Sequence, residues 1–150
     1  MDLRSYLDQS SVRYQWLHHD MAYTSQELAQ REHTSGRKVI KPVVVEADGQ
    51  YVLCALPAAN HIDLERLRLE LHAKEARLAD EPTMSRLFKD CEVGAEPPIV
   101  GIFGLPTMMD ESLKTQGEVT FQAGTHQDAV RMRIEDYVRL AQPRVASFSH

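Results

Sequence analysis

The sequence predicts an α+β fold, with helices interspersed among hairpins around a mixed, mostly antiparallel β-sheet or a partly closed barrel. Three observations predict it. Two nearly continuous β-branched and apolar runs, 39–45 and 51–56, flank Asp48-Gly49. Two alternating runs, 119–123 and 130–134, flank a short polar loop. Leucine-bearing stripes of helical period lie between these runs and around them. At 150 residues and 43% apolar, the chain suits one domain over 1–150, able to bury a core without disulfide or metal staples.

Leu3, Tyr6 and Leu7 sit at i, i+3, i+4 and predict a short amphipathic helix within 1–14. Residues 14–21 lead into Thr24, which has capping-box spacing to Glu27 and is flanked by Tyr23 and Leu28 as a hydrophobic staple. A helix should start at Thr24 and stop before Gly36. Asp48-Gly49 favours a type I′ turn, because both central residues need positive φ, so the flanking runs read as a hairpin inside a sheet. After a turn at 57–60, Asp63 caps a helix that carries Leu64, Leu67 and Leu71 on one face. Glu81-Pro82 starts another helix, with Met84, Leu87 and Phe88 as its buried stripe. Gly101, Gly104 and Pro106 mark turns before a short strand at 107–109. The alternating runs read as half-exposed strands joined by residues 124–128; a last helix runs from about Glu135 to near Pro143, and a frayed tail follows.

Composition excludes several functions. The net charge of −5 argues against a protein that coats DNA or RNA electrostatically, although a local basic patch stays open. No apolar run approaches eighteen residues, and Asp2, Arg4, Asp8 and Arg13 interrupt the start, so a soluble cytoplasmic protein without membrane attachment is expected. Cys54 and Cys91 are isolated, and the seven histidines lack metal-ligand spacing, so neither a disulfide framework, a catalytic thiol nor a metal centre is expected. There is no G-x-S-x-G elbow, Walker loop or dinucleotide fingerprint, and no cofactor is implied.

One loop stands out. Gly94-Ala95-Glu96-Pro97-Pro98 is a G-x-x-x-P segment in which glycine can take angles closed to other residues and two prolines stiffen the exit. Such a loop can hold amide N–H groups rigidly towards a ligand. Far upstream, Lys41 interrupts an apolar strand; it either snorkels to the strand edge or reaches into a cavity beside the sheet. Pro42 directly after it points to an edge or a bulge, since proline cannot donate to a ladder.

The segments in order are 22–29, Gly36-Arg37-Lys38-Val39-Ile40-Lys41-Pro42-Val43-Val44, 51–58, Ile62-Asp63-Leu64, 91–98 and Phe121-Gln122-Ala123-Gly124-Thr125-His126. Together they resemble the YbaK/ProX family of free-standing aminoacyl-tRNA deacylases, related to the editing domain inserted in bacterial prolyl-tRNA synthetases. The resemblance covers about 19–140. It implies hydrolysis of the ester between a wrongly attached amino acid and the terminal adenosine of a tRNA, helped by the tRNA's own 2′-hydroxyl. Lys41 would approach the terminal phosphate or ribose, and Gly94 with Ala95, Glu96, Pro97 and Pro98 would hold the aminoacyl group and water. Gly124 and His126 match the family's late turn and would line the pocket, although a solvent-facing histidine fits the turn equally well. Activation of such an ester needs a developing oxyanion to be stabilised more than it needs a protein nucleophile; one fixed donor is worth about 3–4 kcal/mol. Glu96 must then face away from the phosphates or meet the substrate's α-ammonium. Arg37, Lys38, Arg131 and Arg133 are candidates for a local tRNA-binding patch. The partners implied are an aminoacyl-tRNA acceptor end and an aminoacyl-tRNA synthetase. Two alternatives remain: a non-catalytic module that binds tRNA ends or a synthetase, and a hydrolase of small esters.

Overall fold

The computed structural model describes residues 2–99 and 104–150; the expected turn residue Gly101 lies outside them. Its elements run α1 (Leu3–Gln9), β1 (Gln15–His18), α2 (Ser25–Arg31), β2 (Ile40–Ala47), β3 (Gln50–Pro57), α3 (Leu64–Glu70), β4 (Ala76–Leu78) and α4 (Glu81–Leu87). There follow β5 (Thr107–Asp110), a 3-10 turn (Glu111–Thr115), β6 (Glu118–Gln122), β7 (Asp128–Arg133), α5 (Ile134–Ala141) and β8 (Arg144–Ala146). Among the described residues the strands form two open sheets, an antiparallel β1-β7-β6 and a mixed β4-β2-β3-β5-β8. A single parallel bridge, Val39 with Thr120, joins them, so the barrel stays open.

The α+β reading holds, and most elements form for the reasons their residues give. Asp48 and Gly49 take φ of 50° and 82°, and the turn sets a one-to-one register from Ala47–Gln50 to Ile40–Pro57. That register contains no bulge. Pro42 is tolerated because β4 covers only Val45 to Ala47, leaving the first half of β2 with one neighbouring strand. Asp2, Thr24, Asp63 and Asp80 each cap a helix, accepting from the amide three residues on at 2.8–3.0 Å. No helix among the described residues is long and apolar enough to cross a membrane.

Four details differ from the sequence expectations. Residues 15–18 form β1, the outer strand of the small sheet, and 76–78 form the edge strand β4. Helix α2, by contrast, ends before Gly36 as expected, at Arg31, because His33 takes the left-handed conformation (φ 52°) and Thr34 N–H closes on the Ala29 carbonyl; Gly36 lies in the turn that follows, against Ala59. Tyr23 does not staple inwards: it is 57% exposed and its ring rests on His126. Thr120 and Gln122, expected on a wet face, are buried beneath the segment around α2. The tail is fixed rather than frayed, since β8 pairs with β5, Phe148 is fully buried, and Asp110 accepts from the Phe148 and Ser149 amides at 3.0 Å.

The main buried cluster lies between the two sheets and under α5, gathering Ile40, Ile99, Met109, Phe121, Val130 and Tyr137. A second, containing Val45, Leu56, Leu67 and Phe148, fills the space beneath α3.

Candidate active site

The β6–β7 turn is the base of the candidate site. Asp128 organises it: the carboxylate accepts from Thr125 Oγ1 at 2.6 Å, Trp16 Nε1 at 3.2 Å and pairs with His18 Nδ1 at 3.1 Å. Burial raises its proton affinity, but these bonds together outweigh that effect and hold the carboxyl below the usual range.

The 94–98 loop is sewn to this turn through the backbone. Glu92 N–H donates to the Gly124 carbonyl and Gly124 N–H to the Ala95 carbonyl, both at 2.8 Å, while the Glu92 carboxylate accepts from His126 N–H at 2.7 Å. At the exit, Tyr137, fully buried, donates its hydroxyl to the Pro98 carbonyl at 2.7 Å. The 19–23 segment closes the third side. Ala22 N–H donates to the His126 carbonyl at 2.8 Å, and the Ala22 carbonyl accepts from Gln122 Nε2 at 2.7 Å and His126 Nδ1 at 3.2 Å. That carbonyl can only accept, so Nδ1 carries a proton in this contact.

Gly94 is where these pieces meet. Its φ is +88°, and a Cβ there would stand 3.2 Å from the Tyr23 carbonyl oxygen and 3.5 Å from His126 Cε1. Both left-handed geometry and space thus require glycine. Its amide N–H is already engaged by the Glu96 carboxylate, at 2.8 and 3.0 Å to the two oxygens. Ala95 N–H turns to the Glu92 carbonyl at 3.0 Å, and Pro97 and Pro98 have no N–H. Glu96 is 6% exposed and makes no ion pair among the described residues. Burial raises its pKa, with the Gly94 amide offsetting part of the rise. The loop therefore curls around its own carboxylate, which is turned away from solvent.

Beside the loop opens a cleft of about 530 Å³, lined among others by Arg4, Trp16, Cys91, Pro97, Gly124 and Thr125. Arg4 lies over the Trp16 ring at 4.6 Å. Cys91 is no nucleophile there: burial foremost, with Glu96 and Asp90 adding, pushes its thiol up to about 11.

Lys41 stands apart from this assembly. Its amine donates to the Asn60 carbonyl at 2.7 Å, and burial lowers its pKa. By strand alternation it shares a side of β2 with Val43 and Val45, towards the α3 cluster, while Ile40 and Val44 face the clusters that hold Ile99 and Phe88. Arg37 and Lys38 are exposed in the turn before β2, and Arg131 and Arg133 lie on β7 around a different cleft. The structure thus joins Gly94, Ala95, Glu96, Pro98, Gly124 and His126, and leaves the basic residues outside that group. Sequence reasoning missed Glu92, Gln122, Tyr23 and Tyr137 as its supports; only Tyr23 carried a local signal, and that signal was the helix-start pattern.

The chain is similar to known proteins along almost its whole length. A relative in Escherichia coli (strain K12), the Multifunctional Ser/Thr-tRNA deacylase ProXp-y, is 26% identical over 147 residues, covering 95% of this chain and 87% of the relative. Among solved structures, hypothetical protein APE2540 superposes with a TM-score of 0.90 at 17% identity, covering 99% of both chains. A proposed trans-editing enzyme for prolyl tRNA synthetase superposes with a TM-score of 0.85 at 20% identity, covering 99% of this chain and 94% of the other. The model of the aminoacyl-tRNA editing domain matches residues 19–140, which hold the 94–98 loop, the β6–β7 turn and Lys41, and the chain belongs to that family.

Proposed function

We propose that this chain removes wrongly attached amino acids from tRNA in trans, acting in the cytoplasm alongside an aminoacyl-tRNA synthetase. The observation that carries the reading is the backbone junction of the 94–98 loop with the Gly124–His126 turn, because it makes one rigid wall from the two segments the family resemblance assigns to the aminoacyl pocket. Water adds to the ester carbonyl, the bond to the ribose 3′-oxygen breaks, and that oxygen leaves with a proton. Positioning and electrostatic stabilisation supply the catalysis, consistent with a site whose cysteine is held as thiol. His126, its ring fixed by the Nδ1 contact to the Ala22 carbonyl, lines the aminoacyl pocket. Gly94 N–H is the oxyanion donor, and takes that role when the ester oxygen replaces the Glu96 carboxylate. Lys41, which the family resemblance assigns to the terminal phosphate or ribose, would have to give up the Asn60 carbonyl and meet the RNA end from the α3 side of β2, away from the 94–98 loop.

The E. coli relative is named for seryl- and threonyl-tRNA, so these come first in the test, followed by alanyl- and cysteinyl-tRNA, each on tRNA with a proline anticodon. Deacylation of at least one above the buffer rate, reduced in Lys41→Ala, is expected. One observation favours a non-catalytic tRNA-end binder, namely that Glu96 fills the Gly94 amide. A panel in which no tRNA loses its amino acid faster than in buffer would establish that alternative over the enzyme.

A further inference from the structure

A second cleft, of about 520 Å³, opens on the outer side of the small sheet, and four of the chain's twelve arginines surround it. Arg131 and Arg133 come from β7, Arg139 from α5 and Arg13 from the segment before β1. Two acids share the cleft. Asp136 pairs with Arg133 at 3.4 Å and Arg139 at 3.2 Å, holding their guanidinium groups in place, and Glu118 lies at the start of β6. Arg131 donates to Thr120 Oγ1 at 3.3 Å, and Arg13 has no ion pair among the described residues. On a chain of net charge −5, this cleft therefore keeps an excess of two positive charges. Like charges gather at a cost unless an anion completes them.

The arginine cleft shares no lining residue with the cleft beside the 94–98 loop, but both are built on strand β7 and its turn. Strand β7 begins at Asp128, beside the His126 turn, and rises about 3.4 Å per residue, so Arg131 and Arg133 stand about 10–17 Å along it. Across the sheet, Arg131 is opposite Thr120, whose N–H binds the Lys38 carbonyl, so the exposed Arg37-Lys38 turn lies beside the same strand row. We propose that this arginine cleft holds the phosphodiester backbone of the RNA substrate beyond its reacting end. This rests on the editing reading above, and a groove with charges a few phosphate spacings from the pocket fits a polyanion entering terminus first.

The test is binding of uncharged tRNA, followed by fluorescence anisotropy across a salt series, with wild type, the double variant Arg13→Gln/Arg131→Gln, and Arg77→Gln as a control on the β4 edge. Neither member of the double variant pairs with Asp136, so the α5 contacts persist. The double variant should bind roughly tenfold or more weakly at about 0.1 M salt, with a log–log salt slope shallower by about 1.4–1.8, as loss of two phosphate contacts requires. Arg77→Gln should keep the wild-type slope. An unchanged slope in the double variant overturns the proposal. Displacement of tRNA by polyglutamate at equal charge concentration also overturns it, pointing to an acidic protein surface. Hydrolysis of an aminoacyl ester of adenosine by wild type reports on the editing reading separately: if it fails while the salt slopes differ as stated, the cleft stands and the enzyme does not.

Discussion

Adding one methyl group at Gly94 tests whether the loop is built as described. Gly94→Ala places a side chain at φ +88°, which costs about 1–2 kcal/mol for an L-residue. It also sets Cβ 3.2 Å from the Tyr23 carbonyl oxygen, a backbone atom that cannot swing aside as a side-chain tip would. Overpacking of that kind adds about 1–2 kcal/mol. Gly49→Ala separates the two costs, because Gly49 has a similar φ of +82° with nothing within 4 Å of its Cβ. Thermal and urea unfolding should show Gly49→Ala down by about 1–2 kcal/mol and Gly94→Ala by about 2–4, or roughly 5–15 °C in Tm for the latter. In the deacylation assay Gly94→Ala should lose about 10- to 100-fold in kcat/KM, since the wall it belongs to shifts by tenths of an ångström to an ångström. Equal destabilisation by the two substitutions would refute the close approach to Tyr23.

Tyr137→Phe should lower stability by about 1–3 kcal/mol, because the Pro98 carbonyl is left without its buried donor; amide hydrogen exchange of 94–99 should rise with it. Glu96→Gln should change the pH profile of stability in a set direction. Glu96 has a folded-state pKa raised above its ordinary 4.5, so wild type is favoured most below that value and loses this contribution as pH rises through the window above it. Urea midpoints of the variant should therefore gain on wild type from pH 4 upwards; a wild type that gains instead would contradict the burial argument. Cys91, held at about 11, should react with iodoacetamide at a small fraction of the rate of a free thiol at pH 7 and speed up about tenfold per pH unit towards 10, whereas fast labelling at pH 7 would show the thiol is not shielded.

Much of the frame was legible because its signals are local. Asp48-Gly49 sets a turn through two backbone angles, and Asp63 caps a helix through one side chain three residues away. The misreadings arise where a distant partner decides. Residues 15–18 read as a connector because only pairing with β7 makes them a strand. The 144–150 tail read as frayed because nothing in its own sequence reveals Asp110, 38 residues upstream of Phe148, waiting to accept its amides. The site divides in the same way. Gly94 and Pro98 announced a rigid loop, but its supports, Glu92, Gln122 and Tyr137, are ordinary residues until the turn, the Ala22 carbonyl and Pro98 are brought beside them.

The Glu96 carboxylate gives the loop its physical logic. Two anionic oxygens held 2.8 and 3.0 Å from the Gly94 amide mark a place where negative charge is accepted by a fixed backbone donor. The same burial that raises the pKa of Glu96 makes its charged form a poorly stabilised occupant there. In the proposed reaction, an ester oxygen that becomes negative only in the transition state would compete with a carboxylate already disfavoured in its ground state. The prolines, Tyr137 and the Gly124 bonds hold the Gly94 amide itself in place, so the rearrangement the step requires is the departure of the Glu96 carboxylate. A carboxylate inside the pocket wall is then compatible with a substrate rich in phosphates: its charge is turned into the loop, while the positive excess lies along β7, on the path the RNA backbone would take.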